Sequence, residues 1–183
     1  MINIDGITTS NPHLIANHFN QYFTNVRKNL SDQIPSNGSN FKDYLSNPNS
    51  SSIFLCPVTE EEVIDIVNNF PNKRSAGFDL ITSSLLKGVF HAISKPLTYI
   101  INMSISSGVV PDDMKIARIT PIFKSGNPGL VNNYRPISVL SSFSKILERI
   151  VYKRIIHFLD GHSIITDAQF GFREHQSTSH AVI

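Results

Sequence analysis

KIARITPIFK (115–124) and YRPISVL (134–140) decide how this chain folds. Apolar and polar residues alternate through the first run, the period of a half-buried strand. Ser125-Gly126-Asn127-Pro128-Gly129 follows as a cluster of turn residues, so the second run reads as a returning strand. Pro121 and Pro136 have no backbone N–H to give a ladder. The hairpin is therefore expected at a sheet edge or protruding from the body. Lys115, Arg118, Lys124 and Arg135 make it basic. A ribbon with such cations can lie along a phosphate backbone or a triphosphate, because guanidinium grips phosphate oxygens bidentately and ammonium acts as a mobile point charge. The same cations would also serve solubility and guard an exposed strand edge.

Helical periodicity surrounds the hairpin. Ser142 is read as the cap of a helix to about Leu159, burying Phe143, Ile146, Leu147, Ile150, Val151, Ile155 and Ile156. Upstream, two stretches are expected, Thr82–Ser94 and Ser94–Ser107, the second with Pro96 in its first turn and Gly108 as terminator. Thr59 with Glu62 forms a capping box for a helix to about Phe70, closed by Pro71. At the front, Ser10 is read as the cap of a helix to about Leu30. Residues 31–52 are rich in Ser, Asn and Pro and read as a polar linker, with a short ordered piece at Phe41 to Leu45. The division is thus an N-terminal helix (1–30), the linker (31–52) and a domain from residue 53 to 183.

The composition fits a globular protein, with 40% hydrophobic and 16% charged residues over 183 positions, and the helices with one hairpin make the expected class α+β. Charge is uneven behind a net +2. Residues 1–71 hold three basic and seven acidic side chains, whereas 72–173 hold thirteen basic and six acidic. A polyanionic partner and ordinary solvated helix faces both account for that half. The lone Cys56 excludes a disulfide framework and a cysteine zinc site. Seven histidines give no tetrahedral set, Gly126 and Gly129 no Walker loop, and no serine stands in a nucleophile elbow. The first residues lack a signal-peptide pattern, and the apolar stretch near Pro96–Pro111 is too broken to span a bilayer. An intracellular location, cytoplasmic or nuclear, is expected.

SAGFDLITSSLLK (75–87), GVVPDDMKIARITPIFKSGN (108–127), NYRPISVLSSFSKILERIVYKRI (133–155) and QFGFREHQSTSHA (169–181) resemble, in order, successive blocks of non-LTR retrotransposon (LINE-like) reverse transcriptases. ANHFNQYF (16–23) is similar to the segment these polyproteins carry ahead of the polymerase. The resemblance implies the mostly helical fingers and palm entry of a right-hand polymerase, as an incomplete domain with one basic hairpin. It implies that Lys124 and Arg135 hold the dNTP triphosphate and that Lys115 and Arg118 face template. Gln169, Phe170, Gly171 and Arg173 would lie near the template strand. The implied partners are RNA template, DNA primer, dNTP and the remainder of the polyprotein, with no membrane. Met114, Phe78 and Leu80 depart from the family pattern, Leu80 standing where glycine commonly follows the aspartate.

The family's palm carboxylates, from an FDxV-type strand and a Tyr/Phe-Ala-Asp-Asp turn, are not found in this sequence. No catalytic residue and no metal ligand is therefore expected here, and Asp79, Asp160 and Asp167 are isolated. The Mg²⁺ that polymerisation uses is implied for the full-length enzyme only. Two functions follow from the resemblance. One is a fragment of an RNA-directed DNA polymerase that contributes template and dNTP binding. The alternative is a stand-alone nucleic-acid-binding remnant or an inactive decayed element. Either way, a helix at 142–159 without its palm sheet should leave part of its apolar face exposed.

Overall fold

The computed structural model describes residues 1–35, 38, 40–44, 50–173 and 175–182. A tight hairpin opens the chain, β1 (Ile2–Ile4) pairing antiparallel with β2 (Ile7–Thr9). Asp5 and Gly6 turn it with φ of 50° and 87°, the left-handed pair that a two-residue hairpin turn requires. Reading 1–30 as helix alone overlooked this hairpin, although Asp-Gly between short apolar runs signals one.

α1 (Pro12–Ser31) follows, capped by Asn11 rather than Ser10. The Asn11 carboxamide oxygen accepts from the backbone N–H groups of His13 and Leu14, and Pro12 fits the first turn, where its missing N–H costs nothing. In the polar segment a 3-10 turn spans Phe41–Tyr44, where the ordered piece was placed; Leu45 lies outside the described residues.

Three helices then build the core. α2 (Glu60–Asn68) starts at Thr59, whose hydroxyl accepts from the N–H of Glu62 at 3.2 Å. α3 (Ser83–Ser107) is continuous where two stretches were expected. Thr82 caps it, Gly108 ends it at φ 68°, and Pro96 sits inside it. Proline forfeits one helical hydrogen bond, but burial on both sides of it, by Ser94, Leu97 and Ile101, holds the helix together. α4 (Ser142–Gly161) is capped by Ser141, one residue earlier than expected. Ser141 Oγ accepts from the N–H of Ser144 at 3.0 Å, which leaves Ser142 free to bond Ile81.

Val63, Ile66 and Val67 of α2 meet Leu86, Phe90, Leu97 and Ile101 of α3 and Ile146, Leu147 and Ile150 of α4. Val63, Ile101, Ile146 and Ile150 have no solvent exposure, and burial of each contributes roughly 1.5–3 kcal/mol. Asn102 closes the top of this core. Its carboxamide accepts from Val58 N–H at 2.8 Å and donates to Val58 carbonyl at 2.9 Å, satisfying backbone groups that lie in no strand.

Further along α4 the packing stops. Tyr152 and Ile155 are 45% and 39% exposed, while Ile156 is half-buried. Tyr152 and Ile155 border an apolar groove of about 780 Å³ with Leu55, Val110 and Val151. The expected exposed stripe on this helix is present, from Tyr152 onward.

β3 (Ala117–Phe123) and β4 (Tyr134–Leu140) pair antiparallel, Ala117 opposite Leu140 and Phe123 opposite Tyr134. Among the described residues their sheet has only these two strands. Pro121 and Pro136 stand opposite each other, and the bond from Lys124 N–H to Asn133 carbonyl sets their pair as a non-hydrogen-bonded one, so their nitrogens face the outer edges of the ribbon, where a further strand would need donors. The observed helices and two small antiparallel sheets are compatible with α+β.

Candidate nucleic-acid interface

Strand pleating sorts the hairpin's side chains onto two faces. Ile119, Pro121, Tyr134, Pro136 and Ser138 border a cleft against α1 together with Phe19 and Phe23. Phe19 is buried and meets Tyr134 edge to face at 5.0 Å, and Phe123 lies 5.5 Å from the same ring. Arg118 and Arg135 have the opposite parity and therefore share the other face, both exposed. Ile122, directly opposite Arg135, and Val139, opposite Arg118, lie on that face too. Lys124 is exposed just past the end of β3.

The tip between the strands is held by its own bonds. Lys124 N–H donates to Asn133 carbonyl at 2.8 Å, and Asn133 Nδ2 donates to Asn127 carbonyl at 2.9 Å. Gly129 N–H donates to Asn127 Oδ1 at 2.8 Å, and Tyr134 hydroxyl donates to Pro128 carbonyl at 2.8 Å. Gly126 allows the turn, with φ 89°. From outside, the N-terminal hairpin adds Asn3 N–H donating to Gly129 carbonyl at 2.8 Å. Lys124 and Arg135 thus stand on a stem braced from the tip and from α1.

Of the residues singled out in the sequence, Arg118 and Arg135 share one face of the hairpin, at its two ends, and Lys124 stands just past β3. Lys115 lies outside the strands. It ends a 3-10 turn at Asp112–Lys115, and its ammonium donates to Asp112 at 2.9 Å. That bond holds the Asp112 carboxyl below its usual range. The strand was expected to begin at Lys115, but Asp112 and Asp113 behind Pro111 favour a turn that opens on acids.

The segment 169–173 lies beyond α4, and its bonds run within its own loop. Gln169 donates to Gly171 carbonyl at 3.4 Å, and Arg173 to Thr166 carbonyl at 3.3 Å. Asp167 lies 4.0 Å from the Arg173 guanidinium. Phe170 is half-buried, Gly171 exposed, and Phe172 fully exposed at φ 62°.

A basic cleft was missed. Lys145 and Arg149 of α4 face Lys73 across about 410 Å³. Their i, i+4 spacing on one helix face was the available signal. Among the described residues, no group of three or more His, Cys, Asp or Glu side chains could hold a metal ion, and no helix is long and apolar enough to cross a membrane.

No family model matches the chain. It is 32% identical over 164 residues to the "Probable RNA-directed DNA polymerase from transposon BS" of Drosophila melanogaster, covering 89% of this chain and 18% of that protein. Identity to the "RNA-directed DNA polymerase from mobile element jockey" is 34% over 138 residues in Drosophila melanogaster, 75% of this chain and 15% of the relative. In Drosophila funebris it is 31% over 166 residues, 90% of this chain and 18% of the relative. The chain therefore spans less than a fifth of the length of these curated relatives.

Proposed function

From the premise that this chain belongs to the RNA-directed DNA polymerases of non-LTR retrotransposons, of which it matches a part, we propose that it supplies the nucleic-acid and nucleotide grip of such an enzyme. The reading places it in the fingers and palm entry of a right-hand polymerase. Lys124 and Arg135 hold the triphosphate of the incoming dNTP. Arg118 faces the template, and Gln169, Phe170, Gly171 and Arg173 lie beside it. Lys115 takes the weakest role, since Asp112 already neutralises it.

The supporting observation is the shared exposed face of Arg118 and Arg135 on a braced two-stranded stem, with Lys124 at its end. Cations fixed on a rigid ribbon lose little freedom on meeting phosphates, so more of their attraction survives as binding. In this reading the chain contributes binding and orientation, with Mg²⁺, primer and the remaining polymerase as partners in the whole enzyme.

Binding of an RNA–DNA duplex, followed by anisotropy across a salt series, tests this. Affinity should fall steeply with salt, and Lys124→Ala with Arg135→Ala should weaken it about tenfold while flattening the salt slope by about 2. Lys115→Ala should change it far less. Binding that ignores salt, or that the double variant leaves intact, overturns the proposal.

A further inference from the structure

The cleft of about 410 Å³ between the loop after α2 and the first half of α4 has a feature that core packing does not explain. Lys73, Lys145 and Arg149 all line it, and none of them belongs to an ion pair among the described residues. Lys145 and Arg149 are neighbours on one helix face, where like charges repel. Lys145 is half-buried near the positive end of the helix dipole, and the first turn of α4 carries no acid. Three cations outside any ion pair, against the single acid Glu148 on the same lining, leave the concave site with an excess of positive charge that an anion would relieve.

The site is also built before any ligand arrives. Buried Ser83 donates its hydroxyl to Pro71 carbonyl at 2.7 Å and accepts from Lys73 N–H at 3.2 Å, which fixes the backbone under Lys73. Ser142, buried at the start of α4, donates to Ile81 carbonyl at 3.1 Å and ties the far end of the same loop to the helix. Phe70 and Tyr152 add aromatic surface to the lining. A flat apolar wall beside clustered cations matches a nucleotide, with its base on the ring and its phosphate among the cations.

We infer that this cleft binds one nucleotide unit of a single-stranded nucleic acid, its phosphate held by Lys73, Lys145 and Arg149 and its base against Tyr152. The site is separate from the hairpin face and does not depend on the hairpin reading. Glu148, on the same lining, opposes the phosphate and limits affinity. A free nucleoside triphosphate carries the same chemistry, so the test must separate the two sources.

The full chain is titrated with a labelled twelve-nucleotide RNA and, separately, with dATP, each across a salt series. Lys145→Ala with Arg149→Ala should weaken RNA binding about tenfold and flatten its salt slope by about 1.4, two phosphate contacts on a single strand. Glu148→Gln should tighten RNA binding, and dATP binding should not respond to the double variant. The same double variant should melt about a degree higher, because a repelling pair has gone. A lower melting temperature with unchanged RNA affinity would make the pair merely structural and overturn the inference. A response of dATP instead of RNA overturns the strand assignment. If the hairpin variant alone weakens RNA binding, the cleft fails while the hairpin proposal stands; if the cleft variant alone does, the reverse holds.

Discussion

Arg154 grips Glu62 through both terminal nitrogens, Nη1 to Oε1 at 2.8 Å and Nη2 to Oε2 at 2.6 Å, tying α4 to α2 across 92 positions of sequence. Both side chains are largely withdrawn from solvent, at 20% and 24% exposure, and Arg154 Nε also reaches Cys56 carbonyl at 3.4 Å. The hydrogen bonds from Arg154 hold the Glu62 carboxyl below its ordinary value of 4.5, and those same bonds raise the arginine. Glu62→Gln should therefore destabilise the protein by about 1–3 kcal/mol at pH 7. A depressed acid stabilises the fold above its unfolded pKa and loses that contribution as pH falls through the folded one. Urea unfolding should show the gap between wild type and Glu62→Gln closing below pH 4.5. A gap that does not narrow at all as pH falls below 4.5 would remove the ion pair as its cause.

Leu80 is held at φ 59° with its side chain 72% exposed. A branched side chain pays a steric penalty in the left-handed region that glycine avoids, against the extra freedom glycine has when unfolded. Leu80→Gly should raise stability by up to about 1 kcal/mol. Calorimetry showing a clear loss would mean that the leucine packs against something that outweighs its backbone.

Gly77 tolerates no side chain. A Cβ there would stand 2.8 Å from both Cα and N of Ser141 and 3.0 Å from Leu140 carbonyl carbon, all backbone atoms at the junction of β4 and α4. Gly77→Ala should cost about 1–3 kcal/mol by forcing that junction apart. Thermal melting at wild-type temperature would show that the loop can swing away freely.

Phe19 ties α1 to the basic hairpin through Tyr134. Phe19→Ala should cost about 2–4 kcal/mol and speed amide exchange at the bonded N–H groups of Lys124, Gly129 and Asn133. Tyr134→Phe, which removes only the bond to Pro128, should cost about 1 kcal/mol with a smaller change in exchange. Unchanged exchange in the Phe19 variant would uncouple α1 from the tip.

Features legible in the sequence were those set by neighbours along the chain. Thr59 and Thr82 cap helices because a hydroxyl reaches an N–H three residues on, wherever the helix later packs. Alternation in KIARITPIFK and the turn cluster after it dictate a hairpin, and two prolines keep it two-stranded. The Asp5-Gly6 turn was equally legible and went unread. The family, too, was visible in the blocks from 75 to 181, and the relatives bear it out over most of the chain.

Tertiary structure decided what depends on partners far along the chain. Glu62 has the spacing to close a capping box, yet a guanidinium 92 residues away takes its carboxylate because a bidentate charged pair outcompetes a single bond to a backbone N–H. Nothing local says that Asn3 will reach Gly129, or that Lys73 will stand across from Lys145 and Arg149. Periodicity and capping are short-range and belong to the sequence by itself, whereas which charges meet is settled only when α2, α3 and α4 close on one core.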